Sequence, residues 1–173
     1  MVESSKIPVG RIHYDGTAAE GGAIVTPLRT IGYQGFQPGD WLDALCASRV
    51  EVVIDVRDMP LSRRKGFSKT ALRESLAARG VDYVHIRSLG NPKHLREALK
   101  SGMTFAEFSV SFECLLDGRG EALGELAVIA SQRSACLVCF EEDPSCCHRS
   151  LVAERVSRLS EGAIRVEHLR HAC

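Results

Sequence analysis

The chain has 173 residues, 22 Lys+Arg balanced by 22 Asp+Glu, 45% hydrophobic and 25% charged. That is one ordinary globular domain's worth of length and composition. It excludes a uniformly basic nucleic-acid coat, a disordered polyelectrolyte and a low-complexity or collagen-like chain. No apolar run approaches the roughly 18 residues of a membrane span. The opening M-V-E-S-S-K-I-P-V-G lacks the basic-then-apolar order of a secretory signal. The expectation is a cytoplasmic protein with no membrane partner.

Residues 1–28 have weak periodicity and a small, Gly-rich stretch, G-T-A-A-E-G-G-A, and read as a loosely packed extension. A single α/β domain is expected over 29–173. Thr30–Tyr33 reads as a short strand. Pro38-Gly39-Asp40 opens a helix to about Ser48, with Asp40 as N-cap and Trp41, Leu42 and Leu45 inward. Val50–Val56 is a β-branched run, hence a buried strand. Ser68 caps a helix that Gly80 stops. Val81–Ile86 is a third strand, and Pro92 begins a short helix to about Lys100. Thr104 and Glu107 form a capping-box pattern, behind which Phe105, Phe108, Phe112 and Leu115 recur at helical spacing as core. Glu121–Gln132 is a further helix and Ala135–Phe140 a fourth strand. Asp143-Pro144 opens a helix to about Leu159, and Ile164–Leu169 is a last strand. Strands alternating with helices, and reading as continuous apolar runs, predict a three-layer, Rossmann-like domain. Its sheet is mostly parallel, with helices on both faces.

Ligands of such sheets bind beyond the carboxyl ends of the strands, where the strand order reverses. The segments after the predicted strands are G-Y-Q-G-F, D-V-R-D-M-P-L-S-R-R-K-G-F-S, H-I-R-S-L-G-N-P and E-E-D-P-S-C-C-H-R-S. They concentrate the polar and titratable residues at one edge. Charge is also uneven: residues 57–100 hold eleven Lys/Arg against four Asp/Glu, which predicts one positive face. Arg57, Arg63, Arg64, Lys65, Arg87 and Arg149 are expected to converge at that edge, with Tyr33 beside them. Guanidiniums and helix N-termini together suit an anion, most naturally phosphate. The competing role for an arginine there is structural: Arg57 pairing with Asp55 or Glu141 to pin loops.

Seven cysteines, an odd number, argue against a disulfide framework. Cys46 and Cys114 read as small buried hydrophobes on helix faces. Cys147, His148 and Arg149 fall near a helix start, where a thiol's pKa is lowered, so Cys146 or Cys147 is a candidate nucleophile with His148 as base. Adjacent helical residues do not face each other, however. Cys136 and Cys139, three apart on a strand, point to opposite faces. That disfavours a zinc hairpin and leaves Cys139, Cys147 and His148 as the alternative thiol or metal set. His13, His168 and His171 are too isolated to assign.

Four segments in order, T-I-G-Y, V-I-D-V-R-D-M-P-L-S-R-R-K-G-F-S, Y-V-H-I-R-S-L-G and C-F-E-E-D-P-S-C-C-H-R-S-L-V-A, resemble the bacterial and archaeal domain-of-unknown-function family 488 over about Thr30 to Val156. The resemblance implies a compact α/β domain and no established activity. It points to Asp55, Arg57, Pro60, Ser62, Arg63, Phe67, His85, Leu89, Gly90, Cys139, Glu141, Cys147, His148 and Arg149. Members usually carry His where Tyr33 stands, and the doubled Cys146-Cys147 is not general. I-D-V-R-D is also locally similar to rhodanese domains. Their five-residue spacing from Cys to Arg is missing here, since nine residues separate Cys139 from Arg149.

The sequence thus predicts an anion site acting on a nucleotide or nucleic-acid end. Arg57, Arg63, Arg64, Arg87, Arg149 and Tyr33 would bind, and Asp55, Glu141, Cys147 and His148 would supply the chemistry. It assigns no metal ligands, cofactor or oligomeric state. The alternatives are a thiol- or metal-dependent protein using Cys139, Cys147 and His148, and a non-catalytic nucleic-acid or partner-binding module.

Overall fold

The computed structural model describes residues 27–170; residues 1–26 and 171–173, with His13 and His171, lie outside them. The elements follow in the order β1 (Leu28–Gly32), α1 (Pro38–Ala47), β2 (Val52–Asp55), α2 (Lys69–Ala77), β3 (Asp82–His85), α3 (Lys93–Lys100), α4 (Phe105–Asp117), α5 (Gly120–Gln132), β4 (Ala135–Cys139), α6 (His148–Leu159) and β5 (Val166–Leu169). Single 3₁₀ turns, Arg87–Leu89 and Pro144–Cys146, precede α3 and α6.

All pairings are parallel, in the order β3-β2-β4-β1-β5. The first two crossovers run one way along the sheet and the last two run back. Right-handed crossovers then demand helices on opposite faces, and two separate cores result. Trp41, Leu45, Phe67, Leu72 and Leu76 pack under α1 and α2. Phe108, Phe112, Leu116, Leu126, Val152 and Val156 pack under α4, α5 and α6. Each fully buried side chain of this size contributes about 1.5–3 kcal/mol. The reversal inserts β4 between β2 and β1, so the switch point lies at the sheet's centre.

Several local expectations change. Gln37, not Asp40, is the N-cap of α1, because Pro38 takes the first helical position and leaves Asp40 within the first turn. Cys46 and Cys114 are exposed. The buried rows run through Trp41 and Leu45 in α1, and Phe108, Phe112 and Leu116 in α4, which turns both cysteines outward. The capping box forms as expected: Thr104 Oγ1 accepts from the Glu107 amide, and Glu107 accepts from the Thr104 amide at 2.8 Å. The helix expected from Asp143 is interrupted. Asp143 caps only the 3₁₀ turn, Cys147 is extended (φ −131°, ψ 134°), and α6 begins at His148.

Candidate functional site

The carboxyl ends of the central strands lie level, Gly32 beside Cys139 and Asp55 beside both Val138 and His85. Gly32 is there for close approach: a Cβ on it would sit 1.8 Å from the Glu141 carbonyl oxygen. The backbone after β4 therefore folds directly over the end of β1 and fixes where Glu141 projects. Gly90 plays the same part against the Asp58 amide, 2.2 Å from its would-be Cβ.

Four donor atoms meet at this point. Cys139 Sγ and Cys147 Sγ each lie 3.1 Å from Glu141 Oε2, and Cys139 Sγ lies 3.6 Å from His148 Nδ1. One ligand atom from each of Cys139, Glu141, Cys147 and His148 falls within 4.8 Å of all the others. Both cysteines and the histidine are buried, and Glu141 is half-buried on the solvent side. The interruption before α6 makes the cluster possible. Cys147 precedes the helix in extended backbone while His148 is its first residue, so two neighbours that a continuous helix would splay reach one point.

His148 Nε2 lies 2.8 Å from the Val56 carbonyl. A carbonyl only accepts, so Nε2 carries the hydrogen and donates it, and Nδ1 faces Cys139. The ring also packs edge-on against Phe112 at 5.5 Å. Burial pulls the Glu141 carboxyl upward, but the thiol donors Cys139 and Cys147 hold it below its ordinary 4.5. Burial, with Cys139 alongside, pushes the Cys147 thiol well above its usual 9.0. The lowered thiol pKa expected of a helix start is therefore corrected: desolvation outweighs the helix-terminal field here.

The arginines divide into two kinds. Arg57 is 6% exposed and clamps Asp55 bidentately, with Nε to Oδ1 at 2.8 Å and Nη2 to Oδ2 at 2.6 Å. Its Nη1 donates to Tyr33 Oη and to the Phe67 carbonyl. Asp55, fully buried, also accepts from Tyr83 Oη at 2.7 Å. Arg149 is 0% exposed and donates to the Glu141 and Glu142 carbonyls and to Thr30 Oγ1. Arg64 donates to the Phe36 carbonyl and Arg87 pairs with Asp58. Arg57 and Arg149 tie the edge loops to the sheet, Arg57 in the loop-pinning way the sequence allows for it, and Arg64 and Arg87 join one loop to another. Arg63 and Lys65 are exposed, with no ion pair among the described residues.

Of the residues expected to supply chemistry, Glu141, Cys147 and His148 come together with Cys139, and Asp55 stands apart in the Arg57–Tyr83 network. Sequence reasoning missed Tyr83, whose spacing gives no sign of Asp55, and the Val56 carbonyl, a backbone group no residue type announces. A cavity of about 460 Å³ beyond β3 is lined by residues including His85, Arg87, Ser88 and Arg119. A smaller one, about 410 Å³, lies between Pro38, Arg64, Lys65 and Phe67.

No curated protein and no solved structure matches the chain. The family described as Domain of unknown function DUF488 matches residues 39–156, from α1 into α6 and across all four cluster residues. The chain belongs to the DUF488 family.

Proposed function

We propose that this domain is a metal-dependent protein whose ion, zinc by donor chemistry, is held by Cys139, Cys147, His148 and Glu141. The observation that carries this is the convergence of two sulfurs, one imidazole nitrogen and one carboxylate oxygen within 4.8 Å. Tetrahedral zinc, with bonds of about 2.0–2.3 Å, requires ligands roughly 3.3–3.8 Å apart. Three of the donor pairs lie 3.1–3.6 Å apart and all lie within 4.8 Å, close to that requirement. The tautomer also suits: metal-bound histidines donate their other ring N–H to a carbonyl or carboxylate, and Nε2 has the Val56 carbonyl. A cation would supply what the buried Cys147 thiol lacks, a reason to ionise. Glu141, on the solvent side, is the ligand best placed to yield its position. Three firm ligands with a fourth open position is the arrangement of zinc sites that activate water. Loading the purified chain with Co²⁺ tests this. Thiolate charge-transfer and tetrahedral d–d absorption should appear, and should vanish in Cys147→Ser. A weak, pale-pink octahedral cobalt spectrum without thiolate charge transfer counts against the site.

A second reading concerns the ligand brought to this edge, which we propose to be anionic and phosphate-bearing. Arg63 and Lys65 favour it, since they are exposed and unpaired among the described residues while Arg57 and Arg149 serve the scaffold. Phosphate should raise the melting temperature more than chloride at matched ionic strength. The excess should disappear in Arg63→Ala/Lys65→Ala, whereas general salt exclusion survives that change.

A further inference from the structure

Large apolar side chains are exposed on the same loops. Met59 and Leu61, in the loop after β2, are 53% and 70% exposed, and Phe140, directly after β4, is 41% exposed. Phe140 packs edge-on against Tyr33 at 5.4 Å, and Tyr33 stacks on Phe67 at 4.5 Å. The Phe140 ring is thus braced from below while part of it faces solvent. Arg63 and Lys65 follow Met59 and Leu61 along the β2–α2 loop.

The strand order sets the layout. β4, β2 and β3 are consecutive neighbours, each about 4.8 Å from the next. Their loops therefore leave the edge in one line roughly 10 Å long. Phe140, Met59 and Leu61 form an apolar group and Arg63 and Lys65 a cationic one. The loops after β4 and β2 meet where Phe67 stacks on Tyr33, the ring that Phe140 packs against, with the Arg64 guanidinium over Phe67. An apolar protein partner would match the first group and leave the cations unanswered. A simple polyanion would match the cations and leave the aromatic and apolar groups wet. A flexible chain carrying regular phosphates and unpaired bases answers both, because every base has a face that stacks on an aromatic ring.

We propose, building on the anionic-ligand reading of Arg63 and Lys65, that this edge binds single-stranded nucleic acid, with a base on Phe140 and the backbone along Arg63 and Lys65. The strand passes over the loops that enclose the Cys139–His148 cluster, and duplex, whose bases are stacked inward, has nothing to offer Phe140.

The test is fluorescence anisotropy of the full chain with a labelled oligothymidylate of about 12 nucleotides, the matching duplex, and inorganic polyphosphate as competitor. Single strand should bind more tightly than duplex at equal salt. Phe140→Ala should weaken it by roughly tenfold or more without changing the salt dependence. Arg63→Ala/Lys65→Ala should lower the slope of log K against log salt by about 1.4. Leu61→Ser, a change at an open surface, should weaken binding in a fold with unaltered melting, which guards against a Phe140 variant that packs poorly. Equal binding of duplex and single strand, or full affinity in both Phe140→Ala and Leu61→Ser, overturns the proposal. If phosphate still stabilises the chain in that case, the anionic-ligand reading stands and the nucleic-acid assignment alone has failed. No binding together with self-association in sedimentation also overturns it and makes the patch a contact between copies.

Discussion

The 2.8 Å contact between His148 Nε2 and the Val56 carbonyl joins the first residue of α6 to the backbone just past β2. It fixes the imidazole's tautomer and aims Nδ1 at Cys139, 3.6 Å away. The end of β4 and the start of α6 are therefore locked to the backbone past β2, 92 residues before His148, and the four-donor cluster is preorganised by the fold itself.

Arg149 should be a stability residue. It is wholly buried, and its guanidinium bridges the Glu141 and Glu142 carbonyls and Thr30. Arg149→Ala leaves those oxygens unsatisfied and opens a cavity, and should cost at least about 3 kcal/mol in urea unfolding. Arg149→Lys should recover little, since a point ammonium cannot span a planar three-oxygen frame. A fully stable Arg149→Ala would mean that its bonds count for little.

Asp55 and Arg57 should behave as one unit. Breaking a buried pair strands a charge, at about 3–5 kcal/mol. Asp55→Ala alone should therefore unfold far more readily than Asp55→Ala/Arg57→Met. The double-mutant cycle measured by chemical denaturation should give a large coupling energy. Simple additivity would contradict the pairing.

The edge was legible in the sequence because loop residues after strands carry function on a scaffold whose strand order is set by crossovers. V-E-V-V-I-D-V and A-C-L-V-C-F announced central strands. The meeting of Cys139, Glu141, Cys147 and His148 was legible only in part. Whether Cys147 joins His148 depends on one extended residue between a 3₁₀ turn and α6, and D-P-S-C-C-H reads equally well as an unbroken helix start. The division of the arginines was hidden for a related reason: residue type gives charge, whereas the burial of Arg149 and the exposure of Arg63 depend on which parts of the chain fold over them.

Two glycines should answer oppositely to alanine. Gly32→Ala drives a Cβ into the Glu141 carbonyl and should cost about 3 kcal/mol, moving Glu141 away from the cysteines. Gly124→Ala, in the middle of α5 with nothing within 4 Å of the added Cβ, should stabilise by about 0.5–1 kcal/mol. Thermal melts of the two variants should shift in opposite directions.

Glu113 couples α4 to α6. Burial pulls its carboxyl upward, but Arg155 and Arg158 hold it below 4.5. A carboxylate lowered on folding adds stability that is complete above its unfolded pKa and lost as pH falls through the folded value. Stability should thus decline below about pH 4.5, and Glu113→Gln should be less stable at neutral pH with a shallower acid decline. An unchanged slope in that variant would remove the pair from the acid response.

The metal content of the purified full chain tests the central claim most directly. Elemental analysis of protein expressed with zinc and dialysed against zinc-free buffer should give one zinc per chain. Cys139→Ser, Cys147→Ser and His148→Ala should each abolish that stoichiometry, while Cys136→Ser, altering the core-facing cysteine of the same strand, retains it. A strong chelator should lower the melting temperature of the parent and leave the cluster variants unmoved. Sub-stoichiometric metal in the folded parent, or equal zinc in Cys147→Ser and the parent, would contradict the metal centre.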